Sequence, residues 1–482
     1  MINFRIIFKI LGLLLIIEGA FMLLSLIFSF AFGDDDILGI MLSAGITILS
    51  GTVFWFLFKK SGINIGKREG YFIVTLGWII FSLFGSLPFM ISGDIPSFTD
   101  AFFETMSGFT TTGASILNDV ESLSHGLLFW RSVTQWLGGM GIIVLSLAIL
   151  PILGIGGMQL FIAEVPGPTP DKLHPRIKET AKRLWAIYMI FTFAECILLM
   201  LGGMTFFDAI CHSFTTMATG GYSTKQASIA HFDSPFIHYV IIVFMFLAGT
   251  NFALSYYALH FRFKEFQKNE EFRYYFGFTI AFTAIVTIFL IVTHEYGYEE
   301  SFRHGLFQVV SILTTTGFVT ADYLQWVPLL WVIIFMIMFI GGSAGSTGGG
   351  IKIMRVMLLM KNSFLELKRL IHPNAIIPVK FNERSVDYQV ITNVLAFVSI
   401  YLLISVIGTL VMSSMGYDLD SSLGAVAASL GNIGPGIGSV GPVENFSHIP
   451  DFGKWFLSFL MLVGRLELFT VLILFSPHFY KQ

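Results

Sequence analysis

Four short Gly-centred segments recur along this chain, each set between apolar stretches long enough to cross a bilayer. They read Thr110-Thr111-Thr112-Gly113-Ala114, Met217-Ala218-Thr219-Gly220-Gly221, Thr314-Thr315-Thr316-Gly317-Phe318 and Gly431-Asn432-Ile433-Gly434-Pro435. Gly113, Gly220, Gly317 and Gly434 follow one another at intervals of 107, 97 and 117 residues. A period of about a hundred residues is too long for a solenoid unit, whose repeats run roughly 20–50 residues. It suits a membrane protein assembled from internal structural repeats. Four copies of a Gly/Thr loop around one axis would form a ring of backbone carbonyls, and such rings replace the hydration shell of a cation.

Composition places the chain in a bilayer. Of its 482 residues 55% are hydrophobic and 12% charged, and mean hydropathy is +0.78; soluble domains carry about 25% charged residues. The two cysteines, Cys196 and Cys211, make neither a disulfide framework nor a zinc site. Arg5 and Lys9 precede an apolar run from Ile10 to Phe32. That run exceeds the core of about 7–15 residues typical of a signal peptide, so we read it as a retained helix.

Apolar runs fall near 8–32, 38–58, 71–92, 126–153, 184–204, 236–260, 274–293, 328–360, 388–415 and 454–477. A spanning helix takes roughly 20 residues, so the expectation is an all-α polytopic protein of ten transmembrane helices with both termini on one side. Between paired helices lie shorter segments at 97–115, 205–222, 299–318 and 420–436. Each reads as a pore helix followed by an extended return loop, because irregular backbone at membrane depth needs protein or a water path around it. The division expected is an added helix pair at 1–66, pore repeat 1 at 67–157, a cytoplasmic linker at 158–183, and repeats 2, 3 and 4 at 184–269, 270–382 and 383–482.

Charge sets the orientation. With both termini cytoplasmic, 23 of the 28 Lys and Arg fall on the cytoplasmic side, clustered at Lys59/Lys60/Lys67/Arg68, Lys172–Arg183, Arg262–Arg273 and Lys352–Arg384. Arg131, Lys225, Arg303 and Lys454 fall outside, and Arg465 falls within a helix. Of the 31 acids, 18 fall outside, among them Asp34–Asp36, Asp94, Asp100, Asp119, Glu121, Glu299 and Glu300. A negative outer mouth raises the local concentration of cations, although acids on external loops also serve solubility. A helix C-terminus carries about −0.5 of an elementary charge, so four pore-helix ends aimed at one axis would favour a dehydrated cation. Thr adds hydroxyl oxygens on a stiff β-branched side chain, and Gly permits the backbone angles that turn successive carbonyls inward.

These loops, together with Gly157-Met-Gln-Leu160, Glu164-Val-Pro-Gly-Pro168, Lys172-Leu-His-Pro-Arg176 and Glu179-Thr-Ala-Lys182, resemble the Trk/Ktr/HKT superfamily of cation transporters, most closely its TrkH branch. The resemblance covers nearly the whole chain. It implies four pseudo-repeated helix–pore loop–helix units around one potassium path. The potassium-binding filter it implies is Thr110, Thr111, Thr112 and Gly113, Ala218, Thr219 and Gly220, Thr314, Thr315, Thr316 and Gly317, and Asn432, Ile433 and Gly434, with potassium as substrate and no cofactor in this chain. Gly at 113, where sodium-favouring members tend to carry Ser, argues for potassium. It further implies a homodimer, a cytoplasmic ring of TrkA-like nucleotide-binding regulatory subunits, and residence in the bacterial cytoplasmic membrane.

Two features read as gates. Gly341, Gly342, Ser343, Ala344, Gly345, Ser346, Thr347, Gly348, Gly349 and Gly350 interrupt an apolar run. A phosphate-binding loop would need Lys and then Ser or Thr after the last glycine, and Ile351 stands there instead. Gly costs a helix interior about 1 kcal/mol each, so the stretch melts a helix locally unless it is a closely packed kink. The resemblance makes it an intramembrane loop that obstructs the path below the filter. Arg465 lies near the middle of the last apolar run, and an intramembrane Arg faces protein interior or water. The resemblance projects it into the path; the alternative is a structural ion pair with Glu18 or Glu195.

The function expected is potassium uptake, with a sodium-permeable or ion-coupled symporter of the same fold as the alternative. A membrane enzyme would need an acid/base pair or metal cluster. His125, His174, His212, His231 and His304 lack metal-ligand spacing.

Overall fold

The computed structural model describes residues 2–61, 66–141, 177–262, 264–293, 296–375 and 377–480. Most of the expected linker, up to residue 176, and the distal part of the run at 126–153 lie outside the described residues. The regular structure among the described residues is helical apart from a two-residue-per-strand hairpin, Lys380–Phe381 with Arg384–Ser385. Among the described residues six helices are long and apolar enough to span a membrane by themselves: Phe4–Phe32, Ile37–Leu57, Arg68–Ser92, Lys182–Leu201, Glu270–Val292 and Tyr388–Ser414. The other four crossings are the second helices of the four units, and those of the second, third and fourth units are interrupted.

The added helix pair is locked by glycine. A Cβ on Gly12 would lie 2.7 Å from the Gly51 carbonyl oxygen, and one on Gly51 would lie 2.6 Å from that of Gly12. Small residues that let two backbones touch are how helices associate in lipid, where apolar side chains gain little by leaving the solvent. The outer faces of this pair stay apolar and uncovered, with Ile27, Phe30, Leu38 and Leu49 exposed, as lipid contact requires.

Each unit then contains a short helix that cannot span: Phe98–Phe109, Phe206–Met217, Tyr298–Leu313 and Leu419–Gly431. At 1.5 Å per residue a helix of 12 residues, the length of the first two, covers about 18 Å against a hydrocarbon core of about 30 Å. Their starts are written in the sequence. Ser97 Oγ accepts from Asp100 N, and Thr205 Oγ1 accepts from Asp208 N, each satisfying a free N–H of the first turn. The segments are sheathed in protein: every residue from Ala101 to Phe109 and from Phe207 to Met217 is buried.

The second helices depart from the expected continuous spans. Pro235–Ala248 turns by 112° into Phe252–Leu259, and Asp451–Arg465 turns by 110° into Phe469–Phe475. The runs at 236–260 and 454–477 are therefore broken spans. The second break has a backbone cause: Glu467 and Leu468 both take left-handed angles, with φ of 54° and 58°, and Leu468 N bonds back to Val463 O, which ends the helix as a Schellman turn does. In the third unit Pro328–Ile337 stops short, residues 341–350 run irregularly, and a helix resumes at Ile353–Ile371. Breaks in the second, third and fourth units lie on the same side of the four loops, and this shared irregularity builds the floor of the site.

Candidate functional site

The four loops leave their pore helices in one register. Thr112 N bonds to Ser107 O, Gly220 N to Thr215 O, Thr316 N to Ser311 O and Ile433 N to Ala428 O, at 2.8, 2.9, 2.8 and 3.0 Å. The residue before each of these is left-handed: Thr111, Thr219, Thr315 and Asn432 have φ of 53°, 54°, 61° and 54°. The residue after is a left-handed glycine: Gly113, Gly221, Gly317 and Gly434, with φ of 83°, 75°, 81° and 94°. Gly221 thus holds the place that spacing had given to Gly220, and Gly220 matches Thr112. A Gly-Gly pair offers two registers, and the hydrogen bonds from the helix end select the second. Alternating hands along such a loop bring successive carbonyls to one side.

The loops close on one another in order. A Cβ on Gly113 would lie 2.1 Å from Gly220 O, on Gly221 2.0 Å from Thr316 O, on Gly317 1.9 Å from Ile433 O, and on Gly434 2.9 Å from Thr112 O. Each glycine therefore meets the carbonyl of the next loop, and the fourth returns to the first. All fourteen residues named from the sequence for this ring come together; Gly113 is half-buried and the other thirteen are buried.

Sequence reading missed what backs the ring. Arg131 Nε donates to Glu104 Oε1 at 2.6 Å, both side chains almost fully buried. Glu104 also accepts from Ser115 Oγ and Ile116 N, just past Gly113. Arg131 donates to Ser223 O, just past Gly221, and lies 3.5 Å over the Tyr222 ring. The Tyr222 hydroxyl donates to Glu104 O at 2.7 Å. The pair thus ties the first loop to the second. Arg131 directly follows Phe129 and Trp130, an apolar setting that is the one sequence signal setting it apart from the other external bases.

The Gly-rich segment lies directly against the ring. Gly349 N donates to Thr315 Oγ1 at 2.7 Å, and Thr347 Oγ1 donates to Met217 O at 3.0 Å and to Ala248 O at 3.2 Å. A Cβ on Gly348 would meet Thr314 O at 2.7 Å, and one on Gly349 would meet Gly431 O at 2.4 Å. The segment thus touches the ends of three pore helices. Arg465 closes the remaining side: it donates to Thr347 O at 2.7 Å and to Gly138 O and Gly139 O at the end of His125–Gly139. A cation at a helix C-terminus is where the backbone dipoles favour it.

Arg465 lies at the break of its helix, not midway along a rod. Glu467 is committed elsewhere, to an ion pair with Arg355, whose guanidinium lies 4.0 Å over the Phe397 ring. Glu18 and Glu195 are fully buried. The segment is also held from its other edge. Ala344 N donates to Glu271 Oε1 at 2.6 Å, Ser343 N to Gly249 O at 2.9 Å, and Lys352 Nζ to Gly348 O.

Among the described residues no three His, Cys, Asp or Glu side chains cluster as a metal site. His212 bonds Asp208 O and Ser223 Oγ, and His304 bonds Thr320 Oγ1; both sit in the packing of pore helices. His174 lies outside the described residues.

Four pore-loop units in ten crossings, closed into one ring, define a multi-pass membrane transport protein. The chain belongs to the TrkH family, described as a cation transport protein, whose profile matches residues 38–479. It is 42% identical over 487 residues to the Trk system potassium uptake protein TrkH of Escherichia coli K12, and 39% identical over 483 residues to that of Halomonas elongata, with 100% of each chain covered. Trk system potassium uptake protein TrkG of Escherichia coli K12 is 37% identical over 89% of this chain and 88% of its own length. The crystal structure of the potassium transporter TrkH from Vibrio parahaemolyticus matches with a TM-score of 0.90 at 40% identity, covering 100% of both chains. These relatives are named as transporters, and the chain stands with them as a transporter and not an enzyme.

Proposed function

We propose that the protein takes up potassium across the cytoplasmic membrane, that the ring of four loops is its selectivity filter, and that the Gly-rich segment with Arg465 is the gate beneath it. The observation that carries this reading is the cyclic closure of the loops, each left-handed glycine against the carbonyl of the next. Backbone oxygens held at fixed radius by packing can replace water around a cation. The resident names of the relatives, potassium uptake proteins over full length, give the cation. The filter glycines in this reading are Gly113, Gly221, Gly317 and Gly434. The excess of Lys and Arg on the side of the chain termini puts both termini in the cytoplasm. We place the protein in a homodimer that works with a cytoplasmic TrkA-like nucleotide-binding ring, since relatives are named as parts of a Trk system and the basic cytoplasmic segments offer a docking surface.

The test is a crystal soaked in thallium or rubidium, which stand in for potassium. Anomalous density centred among the carbonyls of Thr112, Gly220, Thr316 and Ile433 is expected. Density only elsewhere, in a protein that still passes rubidium into liposomes, would refute the filter assignment.

A further inference from the structure

We infer that Gln135 is a positioning residue for the second loop of the ring and thereby sets discrimination between potassium and sodium. The inference rests on reading the ring as the filter. In the first and third loops the residue before the left-handed glycine is Thr, and its hydroxyl pairs with the Thr two residues earlier. Thr110 and Thr112 meet at 2.8 Å, and Thr314 and Thr316 at 2.7 Å. Each pair is anchored to its pore helix, by Thr110 Oγ1 on Met106 O and by Thr314 Oγ1 on Val310 O. The second loop has Ala218 and Gly220 at the two places, so it has neither hydroxyl.

Gln135, on the second helix of the first unit, fills that space from outside the loop. Its Nε2 donates to Gly220 O at 2.7 Å, and its Oε1 accepts from Tyr222 N at 3.0 Å. One amide thus straddles Gly221, and its orientation is fixed because one partner can only accept and the other only donate. The side chain is wholly buried. A Cβ on Gly220 would fall 2.4 Å from Gln135 Cδ and 2.5 Å from Oε1. Gly220 and Gln135 are therefore two halves of one fitting: the loop gives up its side chain, and a neighbouring helix supplies the polar group.

Gly220 O is also the oxygen that faces Gly113 across the seam, 2.1 Å from where its Cβ would be. A carbonyl oxygen has two lone pairs, so it can accept from Gln135 and still face an ion. Its distance from the axis is then set by the amide. Without the amide the oxygen is free to move inward, which suits a smaller ion.

The test uses the full-length protein in liposomes, with bi-ionic potassium and sodium flux as the readout. Gln135→Leu removes the amide at similar length, and Gln135→Asn keeps an amide one methylene too short to reach both partners. A typical hydrogen bond contributes about 0.5–1.5 kcal/mol, so each should lower the potassium-to-sodium permeability ratio by about two- to tenfold while potassium flux persists. A merely structural role would lower both fluxes together and leave the ratio unchanged. A wild-type ratio in folded Gln135→Asn, judged by gel filtration and thermal midpoint, overturns the inference; should Gln135→Leu not fold, the milder variant decides. Gly113→Ser runs alongside. If it lowers the ratio and the Gln135 variants do not, the inference fails and the filter stands. If none of the three changes the ratio, the filter reading has failed as well.

Discussion

Gly113 occupies a place where a side chain strains this backbone: its φ is 83°, and a Cβ would sit 2.1 Å from Gly220 O as it now lies. Gly113→Ser must therefore displace the second loop or strain its own. We expect a lower potassium-to-sodium permeability ratio with near-normal expression, because the change is local to one seam; an unchanged ratio in liposome flux would remove this loop from the filter. Arg465 gives a prediction of opposite sign. Two unit charges 4 Å apart interact by about 4 kcal/mol at an effective dielectric constant near 20, and a tenfold rate needs only about 1.4 kcal/mol. Arg465→Ala should raise potassium flux several-fold, and Arg465→Lys should change it less. Arg465 bonds the carbonyls of Thr347, Gly138 and Gly139, so its loss leaves polar groups that water in an open path can satisfy. Poor expression with low flux would mark it instead as half of a structural pair. Breaking such a buried pair costs about 3–5 kcal/mol, the expectation for Arg131→Ala, which strands Glu104.

Among the elements, the Gly-rich segment is the one whose departure changes least else, since it packs between pore-helix ends and two helix breaks without belonging to either. Deleting part of 343–349 should raise flux in a protein that still folds; wild-type flux in a folded deletion would make the segment packing alone. The Arg355–Glu467 pair tests the same element from behind. Glu467→Gln weakens the tie between the helix that resumes at Ile353 and the 110° turn after Arg465. Flux should rise, by less than for the deletion. Sequence reading singled out this segment because ten consecutive small residues interrupt an apolar run, as a loop or as a closely packed kink. It did not reach the two helix breaks. The apolar residues on either side outweigh the polar ones at Leu466-Glu467-Leu468 and Gly249-Thr250-Asn251, so each run averages as one span, and residue type does not report that Glu467 and Leu468 are left-handed. The register of the second loop was hidden for a similar reason: Gly220-Gly221 is resolved only by counting hydrogen bonds from the pore-helix end.

At the scale of the whole molecule, the ten crossings, the four loops and the added helix pair were legible, because length, period and charge asymmetry survive any ambiguity in single residues. What joins the units was not. Glu104 with Arg131 and Gln135 with Gly220 are contacts between residues far apart in the chain, and one sequence carries no trace of such pairings. The added pair is testable as a unit. Gly12→Leu would drive a side chain into the Gly51 carbonyl and Trp55. Overpacking typically costs about 1–3 kcal/mol, so the thermal midpoint in detergent should fall, with the permeability ratio unchanged because the ring lies elsewhere. The closed order of the seams has a consequence for how such a protein can change. In a pore made of four identical subunits, every substitution arrives four times over. Here each quadrant is written separately in one chain, so Thr112, Gly220, Thr316 and Ile433 can differ, and a single codon adjusts a quarter of the ring while three quarters stay as they were.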